Sequence, residues 1–328
     1  MQLRKTLTGI LSGVCILALI LDGKTAMQGA SEGIRICIRS VIPALFPFFI
    51  LSNLLTGVLI GSESKLLRPL GRLFRIPPGA ESLLIPAFLG GYPAGVQSIA
   101  TVLRQGQLSQ SDAQRMIAFC NNPGPSFLFG IIAPTLSLSK VWQLWGIQLI
   151  SAWAVSACIP ANNGTTGSIR GQAVTWTEAM NRSISVTGAV CGWVMLFRIL
   201  IAFLEKWFLW LLPISAQAAV MGFLELTNGC IFLGRIPEHE TQFILCSAML
   251  SFGGLCVTMQ TLSAAEGADI SLYFPGKLLQ TAVSMFLACL ICPNHRRSAF
   301  LAIPFAAVFA LILRKNENKC GNPATVGV

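Results

Sequence analysis

Apolar residues in this chain come in long blocks, at about residues 6–21, 38–60, 82–103, 115–134, 139–160, 183–204, 214–234, 242–262, 277–292 and 299–313. Each is near the ~20 residues that a helix needs to cross a bilayer. The blocks predict an all-α polytopic membrane protein, read as a single transmembrane domain over residues 1–328 with no soluble domain. Two matched pairs of blocks are interrupted. Phe88–Gly95 (FLGGYPAG) and Phe223–Gly229 (FLELTNG) place turn-forming and polar residues in mid-membrane sequence. One block later each is followed by a second break, Cys120–Phe127 (CNNPGPSF) and Ser251–Gln260 (SFGGLCVTMQ). Hydrocarbon cannot satisfy free backbone N–H and C=O groups, so such backbone must be buried in protein or line a polar cavity. Paired interruptions of this kind mark a transporter with an internal repeat.

The polar stretch 161–182 is a connecting loop between a first repeat, 36–160, and a second, 183–293, with a last transmembrane helix at 299–313. Laying SVIPALFPFFILSN (40–53) on SVTGAVCGWVMLFR (185–198) pairs Ser40 with Ser185, Pro43 with Gly188 and Pro47 with Gly192. If every block crosses, the halves run parallel. If the first broken block of each half is a re-entrant hairpin, about eight spanning helices and two hairpins remain, and the repeat is inverted. Loop charge favours the hairpins: they bring Arg104, Arg115, Arg170 and Arg182 to the cytoplasmic side, against Lys140 and Lys206 moving out. Basic residues concentrate on that side, although Arg296 and Arg297 fall on the other side in both arrangements. A multi-pass protein of the cell membrane with cytoplasmic N- and C-termini follows.

Composition agrees, with 54% hydrophobic and 11% charged residues against about 25% charged in soluble domains. The net charge of +10 is explained by topology-setting loop lysines and arginines rather than by nucleic acid. The leucine-rich basic loop Lys65–Arg75 reads as an interfacial turn on anionic headgroups. Arg4 and Lys5 before an apolar run resemble a secretory leader, but Asp22 and Lys24 follow with no small-x-small site, which favours an uncleaved first helix. The 11 cysteines are scattered as small hydrophobes, and the single Cys289/Cys292 pair is a weak metal or redox signal.

Gly91, Tyr92, Pro93 and Gly95 supply a re-entrant tip, since glycine permits positive φ and close approach while proline removes a donor; a kinked helix packing on small residues is the plainer alternative. Asn121, Asn122, Gly124 and Ser126 surround a Pro-Gly-Pro break that gathers amides and freed carbonyls for an ion or polar solute, or else serve as interhelical glue. Glu225, with Thr227 and Asn228, is an intramembrane carboxylate and thus a candidate proton carrier or cation partner, unless it pairs with Arg198. Ser251, Gly253, Gly254 and Gln260 repeat the broken-helix composition without charge. With only His239 and His295, and no P-loop, nucleophile elbow or metal-ligand spacing, neither catalytic residues nor a resident metal or cofactor is expected, and the chain is not read as an enzyme.

Taken together, GGYPAG with a following LRQGQLS, then RMIAFCNNPGPSFLFG, FLELTNG and SFGGLCVTMQ resemble the YlbJ-type sporulation integral membrane proteins of spore-forming Firmicutes. These are grouped with the nucleoside-recognition gate domain, which includes concentrative nucleoside transporters and ferrous-iron permeases. The resemblance spans about residues 35–310 and implies an inverted repeat whose hairpin tips are Gly91–Gly95 and Glu225–Gly229 and whose broken helices are Asn121–Pro125 and Ser251–Gln260. Nucleoside transporters carry Gln and Glu in the first hairpin motif. Here Gly-Tyr-Pro stands in their place, so Glu225 is the one acid at either tip, and no nucleoside follows as substrate.

The expected function is a cytoplasmic-membrane transporter of a small polar solute in endospore cortex formation, with Na+ or H+ as a coupling cation. Its partners are the bilayer and that solute, and a homo-oligomer is left open. A non-transporting scaffold of the sporulation machinery and a metal-ion permease using Cys120, Glu225 and the Cys289/Cys292 pair are the alternatives. Under the hairpin arrangement Gln105 and Ser168 both face the cytoplasm. Single cysteines there, in a background without reactive thiols, should resist an impermeant maleimide in intact cells, whereas labelling of both from outside would give ten full crossings.

Overall fold

The computed structural model describes residues 2–59, 67–161 and 174–320. They are helical or turn, with no strand among the described residues. Most of the connecting loop 161–182, including Ser168 and Arg170, and part of the basic loop at Lys65 lie outside them.

Helix α1 (Gln2–Leu21) leads into one long apolar helix made of α2 (Gly23–Ile36), a π-helical turn at Cys37–Val41, and α3 (Ile42–Leu59). The π turn sits just before Pro43, which has no N–H for the carbonyl one turn back, and a widened turn absorbs such a mismatch. After α4 (Arg68–Leu73), a short apolar leg ends in a second π turn, Pro86–Gly90, and the chain reverses at Gly91–Pro93 into α5 (Ala94–Arg104). Helix α6 (Gln110–Phe119) stops at Cys120. The extended segment to Gly124 separates it from α7 (Pro125–Phe127), which runs into a π turn at Leu128–Ile132, and α8 (Leu138–Cys158) follows.

The order then recurs. A 32-residue helix, α9 (Trp176–Trp207), starts at a capping box in which Thr175 and Glu178 satisfy each other's backbone N–H. Helices α10 (Ile214–Leu224) and α11 (Leu226–Phe232) meet at Glu225. Helix α12 (His239–Phe252) breaks at Gly253 into α13 (Gly254–Ala264), and α14 (Tyr273–Ile291) follows. Helices α15 (Arg296–Ala299) and α16 (Ala302–Cys320) close the described chain.

Both tips are tight reversals rather than kinks. A Cβ on Gly95 would stand 2.8 Å from the Cα of Ala87 on the opposite leg, and one on Gly229 would run into the backbone of Gly222. Each of these glycines lies four residues beyond its tip residue, Gly91 or Glu225. The first leg of each hairpin also seats its final carbonyls on the glycine that starts the second half of a broken helix. Gly124 meets Leu89 O, and Gly254 meets Gly222 O, with 2.8 Å to a Cβ in both cases. Carbonyls at the end of one helix facing the N-terminus of another oppose their partial charges favourably. Elsewhere α2 packs along α9 on Gly29 and Gly33, and α14 is enclosed by α6, α8, α12 and α16.

Among the described residues, four helices are long and apolar enough to cross a membrane: Gly23–Leu59, Trp176–Trp207, His239–Ala264 and Tyr273–Ile291, with a fifth if Pro293–Ala299 and Ala302–Lys315 form one bent span. The ten blocks of the sequence exceed this because several are not continuous spans. The blocks at 82–103, 115–134 and 214–234 are each two shorter pieces, and α8 carries Lys140, Gln143 and Gln148. Exposed large side chains such as Ile16, Leu51, Trp153, Leu196, Phe223 and Leu311 present an apolar exterior. Arg115 belongs to no loop. It is buried in α6 and donates to the carbonyls of Phe74, Arg75, Ser156 and Ile159, so its charge is spent inside the protein.

The close approaches at the tips set a measurable cost. Gly95→Ala and Gly229→Ala should each destabilise by about 1–3 kcal/mol through overpacking. Gly188→Ala on α9, where a Cβ meets nothing within 4 Å, should leave the thermal midpoint in detergent unchanged or slightly raised.

Candidate functional site

All four interruptions meet around one small cavity of about 30 Å³, lined among others by Tyr92, Gly124, Glu225, Thr227, Val257 and Gln260. That is room for about one water. Tyr92 comes from the first tip, where Gly91 has a φ of +87° and the Tyr92–Pro93 peptide is cis. Its buried hydroxyl donates to the carbonyl of Leu250 in the last turn of α12, where carbonyls lose their helical donors. The ring lies over Gly253, whose φ of +83° continues into Gly254 at +80°, a double left-handed step that glycine takes without strain.

Glu225 is 1% exposed and forms the second tip. Its carboxylate caps α11, accepting from the N–H of Thr227 at 3.0 Å, the N–H of Asn228 at 2.7 Å and the Asn228 side-chain amide at 2.6 Å. A helix N-terminus with two free N–H groups is a good seat for a buried negative charge. Glu225 therefore does not pair with Arg198, which bonds Glu205 two turns along α9 at 2.9 Å.

The two asparagines lie in a second network at the first break. Asn121 donates to the hydroxyls of Thr261 at 2.8 Å and Tyr273 at 3.1 Å, while its own Oδ1 is buried with no hydrogen-bond partner. Asn122 donates to Phe119 O at 2.7 Å and accepts from Gln280 at 2.7 Å. Lys277 Nζ donates to the backbone carbonyl of Asn121 and, at 2.9 Å, to Gln280 Oε1. These bonds join the break to α13 and α14, as interhelical glue would. Ser126 is buried with its hydroxyl unpartnered, and Gly95 packs against Cys120 O. Ser251 stands apart, exchanging hydrogen bonds with Gln148 of α8 at 3.0 and 3.1 Å beside the Ser247–Ser284 pair.

Tyr92, Gly124, Glu225, Thr227 and Gln260 thus share one cavity, Asn121 and Asn122 belong to the adjoining network, and Ser251 belongs to neither. Lys277, Gln280, Thr261, Tyr273 and Gln148 are not singled out by the block pattern, because none of them interrupts a block with turn-forming residues. The available signal is YFPGKLLQ, which puts Lys277 and Gln280 three apart on one helix face. Among the described residues no three His, Cys, Asp or Glu side chains gather as a metal-holding group.

The apolar helices define an all-helical membrane protein. Within it, a stretch of 112 residues is 33% identical to the sporulation integral membrane protein YlbJ of Bacillus subtilis (strain 168), covering 34% of this chain and 28% of that protein. The chain thus spans little more than a quarter of that relative. No protein-family profile matches the chain, and no solved structure matches it.

The amide network can be broken from one side. Gln280→Leu removes the donor to Asn122 Oδ1 and an acceptor of Lys277, leaving buried polar groups unmet at about 1–3 kcal/mol each. Thermal denaturation should show a clear fall in midpoint, larger than that of Arg198→Gln, whose partner Glu205 is partly exposed.

Proposed function

We propose that the protein is a transporter of a small polar solute in the cytoplasmic membrane, acting in formation of the endospore cortex. The observation that carries this is the convergence of both tips and both broken helices on buried polar groups, with Tyr92, Glu225 and Gln260 around one cavity. The recurrence of helix order and of the carbonyl-to-glycine contacts in the two halves supports an inverted, gate-type repeat with hairpins that do not span. The partial identity to a sporulation protein supports the cellular setting. A cavity of about 30 Å³ corresponds to a closed state, from which a tip must move to admit solute. A polar cleft of about 330 Å³ beside the first hairpin, lined by Asn53, Gln97, Ser98, Thr101 and Gln105 among others, supports an approach route.

Glu225 is the carboxylate suited to a coupling cation or proton. A second reading, a membrane scaffold for the sporulation machinery, is favoured by the asparagines, whose hydrogen bonds run between helices.

A thermal-stabilisation screen of purified protein across nucleosides, amino acids, peptidoglycan precursors and cations separates these readings. Saturable stabilisation that disappears in Glu225→Ala supports a transporter; stabilisation by none, with full sporulation dependence, supports a scaffold. Glu225→Gln retains an oxygen for the α11 cap and should stay abundant in the membrane while sporulation falls at least tenfold. Adding Arg198→Gln should not rescue it, since Arg198 bonds Glu205. Rescue would return Glu225 to a structural ion pair.

A further inference from the structure

Lys277 is a buried charge to which solute transport, as proposed, assigns no role. It is 1% exposed on α14, and among the described residues no carboxylate stands within ion-pair distance of it. Neutral oxygens hold its ammonium: the Asn121 carbonyl, just beyond the C-terminal end of α6, and Gln280 Oε1 at 2.9 Å. The Tyr92 ring, with its centroid 5.5 Å away, completes the surroundings. In the same break the side-chain Oδ1 of Asn121 is buried with no hydrogen-bond partner.

Carbonyl and amide oxygens at the C-terminal end of a half-helix, beside an aromatic face, are the groups that receive a small hard cation. Ammonium and K+ or Na+ make similar demands on such a cage, except that the ammonium directs three N–H bonds. Here two point to oxygens, with the aromatic face beside them. Burying an unpaired charge is costly, and apolar residues of similar volume would pack α14 without that cost. A lysine held in this way is what results when the occupant of a cation site is fixed to the chain.

We propose that the first break, Cys120–Gly124, forms a monovalent-cation site whose occupant is tethered: the Lys277 ammonium stands where a free Na+ or K+ would bind. The first half of the molecule then closes around its break without a dissolved ion. Where this bears on coupling it rests on the transport reading, and it leaves Glu225 as the acid for a mobile cation or proton. Occupancy of the site is independent of transport.

The test uses the purified full chain in detergent, with NaCl, KCl or choline chloride at equal ionic strength. The wild type should have the same thermal midpoint in all three. Lys277→Ala should be less stable in choline and recover saturably with Na+ or K+, by several degrees. Lys277→Met, which refills the stem without a charge, should show no such recovery. A wild-type midpoint that rises saturably with Na+ or K+, or a folded Lys277→Ala indifferent to cations, overturns the proposal. If Lys277→Ala does not fold, the wild-type comparison decides alone. No solute enters these measurements, so their failure leaves the transporter reading standing, and an empty ligand screen leaves this site standing.

Discussion

Everything in this molecule depends on how it satisfies backbone groups where its helices stop. A continuous helix meets its own N–H and C=O groups, but each interruption leaves several without partners, and in apolar surroundings each unmet group costs several kcal/mol. The four breaks are met by different means. At the first tip, the ending carbonyls lie on Gly124 and the Tyr92 hydroxyl reaches the freed Leu250 carbonyl of the other half. At the second, the Glu225 carboxylate takes the starting N–H groups of α11. Lys277 and Asn122 take the carbonyls of Asn121 and Phe119 at the end of α6. Because Tyr92 and Lys277 satisfy groups from the opposite half, neither half can complete its own breaks alone.

The positions of the interruptions are legible because their cause is local. Clustered glycine, proline and polar residues are strong local punctuation, and the reversals at Gly91–Pro93 and Glu225 and the breaks at Cys120–Gly124 and Gly253 all lie inside FLGGYPAG, FLELTNG, CNNPGPSF and SFGGLCVTMQ. What is not legible is which group answers each break. Lys277 lies 156 residues from Asn121, and Tyr92 lies 158 from Leu250; no periodicity encodes such a pairing. Arg198 shows the same limit at short range. Two charges in apolar sequence invite pairing with Glu225, yet Glu205 lies seven residues along the same helix, on the same face and nearer the helix end. Apolar blocks likewise outnumber the long unbroken apolar helices among the described residues, because apolar content does not register whether a block is one helix or two shorter pieces.

Glu225 and Lys277, the buried charges at the tips and breaks, differ in how far their partners lie, and this makes the bonding of the two halves unequal. Every hydrogen-bond partner of Glu225 is within three residues of it, so the second tip carries its charge and its neutralising N–H groups as one unit. It can shift against α13, giving up packing at Gly254 and Gly222 but no charged bond. Lys277 instead joins α14 to the first break and lies beside the first tip through the Tyr92 ring. Moving that break would separate the ammonium from the Asn121 carbonyl, and moving the tip would take away the Tyr92 ring, in a dry interior where the penalty for an unmet charge is largest. Under the transport reading proposed above, opening of the cavity would therefore be cheaper through the Glu225 tip, with the first half as the wall against which it would move. A lysine bonded across the halves on one side and a glutamate capped by its own helix on the other make the bonding of the two breaks unequal, although the order of elements is much the same.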